Sequence, residues 1–163
     1  MTASADKPAA AGPKVGAKVA SFTAESTGGP LKLADLKGRK VVLYFYPKDN
    51  TPGCTTEGAD FAASHAQFRA ADAEVFGVSR DSIRSHAGFK EKLGFPFELI
   101  SDPDEALCNQ FGVMKMKNMY GKQVRGIERS TFVIDGSGKL VREWRGVKVP
   151  GHVAEVLDCV NGI

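Results

Sequence analysis

An α/β domain, with a central mixed sheet flanked by helices and a hairpin plus helix at its C-terminal end, is predicted by three features of the sequence. Lys40–Tyr46 is a short apolar, β-branched and aromatic run, suited to a strand buried on both faces. Strand-like and helix-like patterns then alternate, as in a largely parallel sheet with helical crossovers. Near the end, Ser130–Ile134 and Lys139–Trp144 bracket Asp135-Gly136-Ser137-Gly138, two strand-like runs around a glycine-rich turn. These last two strands add antiparallel.

Taken in order, Pro47 ends the first strand. Thr55–Ala71 places Phe61, Ala62, His65 and Phe68 at three- and four-residue spacing, one apolar helical face. Glu74–Val78 reads as a second strand, Ser82–Leu93 as a helix ended by Gly94, and Phe97–Ile100 as a third strand. Ser101-Asp102-Pro103-Asp104 carries a cap and first-turn pattern for a helix running to Phe111 and stopped by Gly112. Val113–Arg129 is mixed and reads as loop. Pro150–Val160 closes the chain as a helix with Val153, Val156, Leu157 and Val160 on one side. Residues 1–14, rich in Ala, Pro and Lys, read as a disordered tail, and residues 15–163 as a single domain.

Composition excludes several classes. With 163 residues, 42% hydrophobic and 25% charged, the chain suits one ordinary globular domain. A net charge of +3 is too small to mark a nucleic-acid binder, and among the basic residues of 115–129 only Tyr120 interleaves as an aromatic. No apolar run is long enough to span a membrane, and the N-terminus lacks the apolar stretch of a secretory signal. The three cysteines, Cys54, Cys108 and Cys159, form no paired motif for zinc and no even set for a disulfide framework. His65 and His86 have no second ligand at a metal spacing. No cofactor or metal is expected, and the expected compartment is a reducing cytoplasm.

The informative stretch is Pro47-Lys48-Asp49-Asn50-Thr51-Pro52-Gly53-Cys54-Thr55-Thr56-Glu57. It joins the end of a buried strand to the start of a helix. Cys54 therefore falls in the first helical turn, where unpaired N–H groups and the positive end of the dipole favour an anion. A thiol there is favoured as the thiolate, the reactive form. Thr51 can offer a hydroxyl to the sulfur or to an oxygen bound beside it, and Pro47 and Pro52 stiffen the approach. Cys108 and Cys159 read by default as small buried hydrophobes. Arg129, before a buried strand, reads by itself as a surface cation paired with Glu128; Glu57 as a complement to the helix dipole; Tyr44 as a core aromatic or a side chain pointing at the site. Met114, Met116 and Met119 read as packing residues, or as an adaptable apolar wall for a ligand.

The pattern Pro47-x-x-x-Thr51-x-x-Cys54 resembles the active-site motif of peroxiredoxins. The fuller Tyr44–Asp49 and Thr51–Glu57 segments resemble the Q-type, or bacterioferritin-comigratory-protein, branch. The likeness continues through Gly77–Ser82, Ser85-His86, Ser101-Asp102, Phe111–Val113, Arg129–Asp135 and Gly138-Lys139. This resemblance implies a thioredoxin-like fold and a thiol peroxidase acting on hydrogen peroxide or alkyl hydroperoxides. Cys54 is then the nucleophile that becomes a sulfenic acid. Thr51 holds the peroxide and sulfur, Arg129 stabilises the charge, Pro47 shields the sulfur, and Gly53, Glu57 and Tyr44 support them.

The sequence departs from that branch where a resolving cysteine would stand. Ala59 occupies the position five residues after Cys54, and Lys90 the position in the following helix. A one-cysteine enzyme is therefore expected, reduced by an external thiol such as thioredoxin, glutaredoxin or a small thiol. Cys159 and then Cys108 are the alternative resolving residues. A redox-sensing module on the same scaffold, with Cys54 oxidised once and the signal passed on, is the alternative function. The expected state is a monomer, with a dimer worth testing.

Overall fold

The structure, a computed structural model, describes residues 12–163. The expected disordered tail falls, over residues 1–11, outside the described residues. The strands are β1 (Thr23–Ser26), β2 (Gly29–Lys32), β3 (Lys40–Phe45), β4 (Ala73–Ser79), β5 (Glu98–Ser101), β6 (Met114–Met119), β7 (Lys122–Ile127), β8 (Ser130–Ile134) and β9 (Leu140–Arg145). The α-helices are α1 (Pro52–Ala63), α2 (His65–Ala70), α3 (Ile83–Leu93), α4 (Ala106–Gln110) and α5 (His152–Asn161), with a 3-10 turn at Leu33–Leu36.

Seven strands form one sheet in the order β2-β1-β5-β4-β3-β8-β9. β3, β4 and β5 run parallel, whereas β8 joins β3 antiparallel and β9 joins β8 antiparallel. Strand alternation in β3 and the residue after it divides the core in two. Val41, Leu43 and Phe45 pack with Leu107, Cys108, Phe111 and Phe132 on one face. Val42, Tyr44 and Tyr46 pack with Cys54, Phe61, Phe68, Phe89 and Val156 on the other. Burial on both faces is why Lys40–Phe45 is a continuous apolar run rather than an alternating one.

Three elements differ from the sequence expectation. The helix expected over Thr55–Ala71 starts earlier, at Pro52, and is broken at Ser64 into α1 and α2. Pro is favoured in a first turn, and Ser is a weak helix former that competes for backbone partners. The β1–β2 hairpin was not expected. Its strands have four residues each, are largely exposed or half-buried apart from Ser26, and include Pro30, which a sheet-edge strand such as β2 tolerates. The segment expected as loop, Val113–Arg129, holds the β6–β7 hairpin instead. Its turn puts Tyr120 (φ 53°) and Gly121 (φ 80°) in left-handed conformations, the geometry of a two-residue hairpin turn usually filled by Asn-Gly.

The sheet leaves room for a large side chain near the site only because of a small neighbour. Gly77 lies between Tyr44 and Leu99 in register. A Cβ on it would stand 2.8 Å from the Tyr44 hydroxyl oxygen and 2.8 Å from Leu99 Cδ2. Gly77→Ala is therefore expected to cost about 1–3 kcal/mol of stability through overpacking, read as a lower urea midpoint with unchanged slope.

Candidate active site

β3 ends at Phe45 and the chain leaves the sheet through Tyr46–Thr51 before entering α1. A buried polar cluster holds this connection. The Asp49 carboxylate accepts hydrogen bonds from the Tyr46 hydroxyl (2.6 Å), Ser85 Oγ (2.8 Å) and His86 Nδ1 (2.8 Å). His86 Nε2 faces the Ile100 carbonyl oxygen at 2.9 Å, which can only accept. Both ring nitrogens of His86 are thus taken up by internal oxygens, and His86 and Asp49 form a buried pair. Burial by itself would push the Asp49 carboxyl up, but the bonds from His86, Tyr46 and Ser85 hold it below the ordinary carboxylate value. The Asp49 N–H also donates to Asp81 Oδ2 (2.9 Å), which accepts from Ser79 Oγ (2.6 Å). Asp49, Asp81 and His86 bring ligand-type atoms within 4.8 Å of one another. With both oxygens of Asp49 and both nitrogens of His86 committed to internal hydrogen bonds, the cluster works as a brace for the loop. His86, for which the sequence showed no second ligand at a metal spacing, is its centre.

The brace fixes Asn50 in a left-handed conformation (φ 65°) and Thr51 as the residue capping α1. Pro52, Gly53 and Cys54 then form the first turn, and the first helical bond runs from Thr55 N–H to the Thr51 carbonyl at 2.9 Å. Cys54 is 1% exposed at the N-terminal end of α1. Pro47 is half-buried in the loop before it. The Thr51 hydroxyl donates to the Lys48 carbonyl at 2.8 Å, so its proton is not on the sulfur. Its lone pairs remain able to accept from a substrate O–H.

Arg129, between β7 and β8, reaches across to this turn. It is not the surface partner of Glu128, which pairs with Lys115 at 2.9 Å. Arg129 Nη2 lies 3.5 Å from Cys54 Sγ, and Nη1 lies 2.6 Å from Glu57 Oε1. Gly53 permits the approach, since a Cβ there would stand 3.0 Å from Nη2. Burial opposes the Arg129 charge, but Glu57 and Cys54 outweigh it and hold the guanidinium protonated.

Glu57, one turn beyond Cys54 on α1, is fully buried rather than a solvent-facing complement to the dipole. Burial pushes its carboxyl up to about 7 against the pull of Arg129. Tyr44 is a core aromatic, stacked on Phe61 with centroids 4.4 Å apart; burial, then Glu57 and Cys54, raise its hydroxyl well above the ordinary value.

The β6–β7 hairpin adds a group that sequence reasoning left in a general basic patch. Lys117 is half-buried and donates to the Ile127 carbonyl. Burial and then the Arg129 charge lower its pKa, while Cys54 and Glu128 pull the other way, so it faces the same pocket as Arg129. The period-two alternation Met114-Lys115-Met116-Lys117 was the available signal. Of the three methionines in this segment only Met114 packs in the core; Met116 and Met119 are exposed.

Cys108 is buried in the core on the opposite face of the sheet from Cys54. Burial and then Asp102 push its thiol well up. Cys159, on α5, is half-buried against the same core as Cys54, and burial raises its thiol while Arg142 lowers it.

A family model described as the AhpC/TSA family matches residues 15–143. The chain belongs to this family, the peroxiredoxins. Its relatives place it in the Q-type, or Bcp, branch. Peroxiredoxin Bcp of Xanthomonas campestris is 60% identical over 124 residues, 76% of this chain and 78% of that one. Peroxiredoxin Bcp of Bacillus subtilis is 55% identical over 134 residues, 82% and 85% of the two chains. Among solved structures, a Cys→Ser mutant of Xylella fastidiosa PrxQ superposes with a TM-score of 0.86 at 45% identity, covering 91% of this chain and 96% of that one. The bacterioferritin comigratory protein of X. campestris, studied for alkyl peroxide reduction, gives 0.82 at 52% identity over 86% and 90%. The fold is thioredoxin-like and the enzyme is a thiol-dependent peroxidase, an oxidoreductase working through a peroxidatic cysteine. Among the described residues no helix is long and apolar enough to cross a membrane.

The carboxyl of Glu57 makes stability depend on pH. Its folded value of about 7 lies above the ordinary 4.5, so between those values the folded state holds a proton that the unfolded state has released. Stability conferred by that proton is complete below pH about 4.5 and is lost as pH rises through about 7. Glu57→Gln, which still accepts from Arg129 and has no such proton to lose, is expected to gain on wild type across that window in thermal melts.

Proposed function

We propose that Cys54 is the peroxidatic nucleophile for hydrogen peroxide and alkyl hydroperoxides, and that an external thiol restores it. The observation that carries this reading is the Arg129 Nη2 to Cys54 Sγ contact of 3.5 Å at the N-terminal turn of α1. The thiolate sulfur attacks the terminal peroxide oxygen. The S–O bond forms as the O–O bond breaks, giving a sulfenic acid and an alcohol or water. Arg129 and the Gly53 and Cys54 N–H groups stabilise charge on the peroxide oxygens, and the Thr51 hydroxyl accepts from the peroxide proton. Pro47 limits water at the sulfur, Gly53 leaves space for Arg129, and Glu57, backed by Tyr44, holds Arg129 in place.

For the return half, Ala59 is exposed on α1 and Lys90 is paired with Glu98 at 3.2 Å, so neither position where a resolving cysteine is expected offers sulfur. This supports a one-cysteine cycle using thioredoxin, glutaredoxin or a small thiol; the enzyme is read as cytoplasmic and monomeric, with a dimer as the alternative. The sheet between Cys54 and Cys108 argues against Cys108, and Cys159 is the remaining internal alternative.

Steady-state peroxide consumption tests both halves. Cys54→Ser is expected to be inactive. Arg129→Ala is expected to lower the rate of Cys54 oxidation by about 10²–10³-fold, the usual effect of removing one donor at developing charge, and Thr51→Val is expected to lower it as well, because the peroxide proton loses its acceptor. Near-normal rates in Arg129→Ala would remove its assigned role. The Cys108→Ser/Cys159→Ser double variant is expected to keep full turnover with the same reductant; its failure would instead assign a resolving cysteine. Consumption of one equivalent and no more, with each reductant, would mark a sensor.

A further inference from the structure

Two polar atoms behind Arg129 are buried and have no hydrogen-bond partner among the described residues: Glu57 Oε2 and the Tyr44 hydroxyl oxygen. Glu57 Oε1 already accepts from Arg129 Nη1 at 2.6 Å. An ionised carboxylate with one oxygen in that position would carry buried charge with no donor to meet it, whereas a proton on Oε2 removes the charge. The guanidinium of Arg129 is also shared with Cys54 Sγ at 3.5 Å. One half-buried cation thus serves two groups that can each carry a negative charge.

We infer that Glu57 is a proton-holding residue that balances charge at Arg129, neutral while Cys54 is a thiolate and ionised once Cys54 has become a sulfenic acid. The inference rests on the peroxidase reading above. The thiolate takes the terminal OH of the hydroperoxide: a sulfur lone pair becomes the S–O bond, and the O–O pair leaves on the alkoxide. Sulfur is oxidised by two electrons and the peroxide is reduced by two. The alkoxide needs one proton, and Glu57 gives up one as the sulfur loses its charge. The balance closes whichever route the proton takes. Reduction of the sulfenic acid back to the thiolate returns the proton to Glu57.

The groups facing this carboxyl agree with that role. Arg129 stands on one side, with Asp60 from its own helix and Tyr44 from β3, and Cys54 meets it through the shared Arg129. Lys117 from β6 and His152 from α5 face Arg129 rather than the carboxyl. His152 is held neutral by burial, its pKa lowered to about 4, with its Nε2 2.8 Å from Thr131 Oγ1. Glu57 itself, at about 7, changes state at neutral pH.

The test uses the Cys108→Ser/Cys159→Ser background, so that one equivalent of hydrogen peroxide without reductant stops at the sulfenic acid. Infrared difference spectra of reduced minus oxidised protein at pH about 6, below the value of about 7, are expected to show a carboxylic-acid C=O stretch lost on oxidation. The added Glu57→Gln change is expected to abolish that band. In weak buffer the Glu57 protein is expected to take up well under one proton per Cys54. The Gln variant, with its thiolate verified by ultraviolet absorbance, is expected to take up one. An unchanged carboxylic-acid band, or equal proton uptake in the two proteins, overturns the inference. Failure of Cys54 to consume its equivalent of peroxide overturns the peroxidase reading instead.

Discussion

The guanidinium of Arg129 is divided between a carboxyl and a sulfur in a place with little water, and that sharing governs the layout of the site. A cation drawn most of the way out of water is favoured where it is paired and hydrogen-bonded. Here the pairing is supplied by α1 alone, from Cys54 in its first turn and Glu57 one turn on, which are neighbours on a helix surface. The cation must come from another element and pass close to the helix backbone. Gly53 makes the passage, since any side chain there would meet Nη2. Arg129 is delivered by the segment between β7 and β8, anchored through Lys115 to Glu128 and through Lys117 to the Ile127 carbonyl. The β6–β7 hairpin is therefore part of the scaffold of the site.

The other side of the site is held by the Asp49–His86 pair. Breaking a buried ion pair by removing one partner costs about 3–5 kcal/mol, so the loop cannot drift without losing a large fraction of a domain's stability. The pair ties the β3–α1 connection to α3 and, through Ile100, to β5. The N-terminal turn of α1 is thereby set against α3 and the sheet, and the direction of its N–H groups follows.

The parts of this arrangement legible in the sequence are those expressed as local pattern. The two-sided burial of β3 was visible in Lys40–Tyr46, the end of α3 in Gly94, which is left-handed at φ 67°, and the β8–β9 turn in its glycines. Cys54 was legible because a strand, a proline-glycine turn and a helix start are local features. Elements defined by long-range pairing were not. β1 and β2 are short and half-exposed, and their place in the sheet comes from contacts such as Glu25 with Ser101. The Tyr120-Gly121 turn lacks the usual residue at its first position. Read alone, Arg129 looked like a surface cation; only its likeness to the peroxiredoxin pattern pointed to the site. The burial of Glu57 had no local signal, because its partner is 72 positions away.

The burial of the sulfur also constrains how the cycle returns. Cys54 is 1% exposed in a turn that packs through Glu57, Gly58 and Phe61. A hydroperoxide presents a slim two-atom head, whereas a reducing thiol must bring its own sulfur in line with Sγ. For a thiol on a protein surface this requires the first turn of α1 to open, and opening separates Glu57 and Cys54 from Arg129. The contacts of Arg129 with Cys54 at 3.5 Å and with Glu57 at 2.6 Å are among the holds such opening must break, so the cation that reaches the sulfur also sets part of the cost of admitting a bulky reductant.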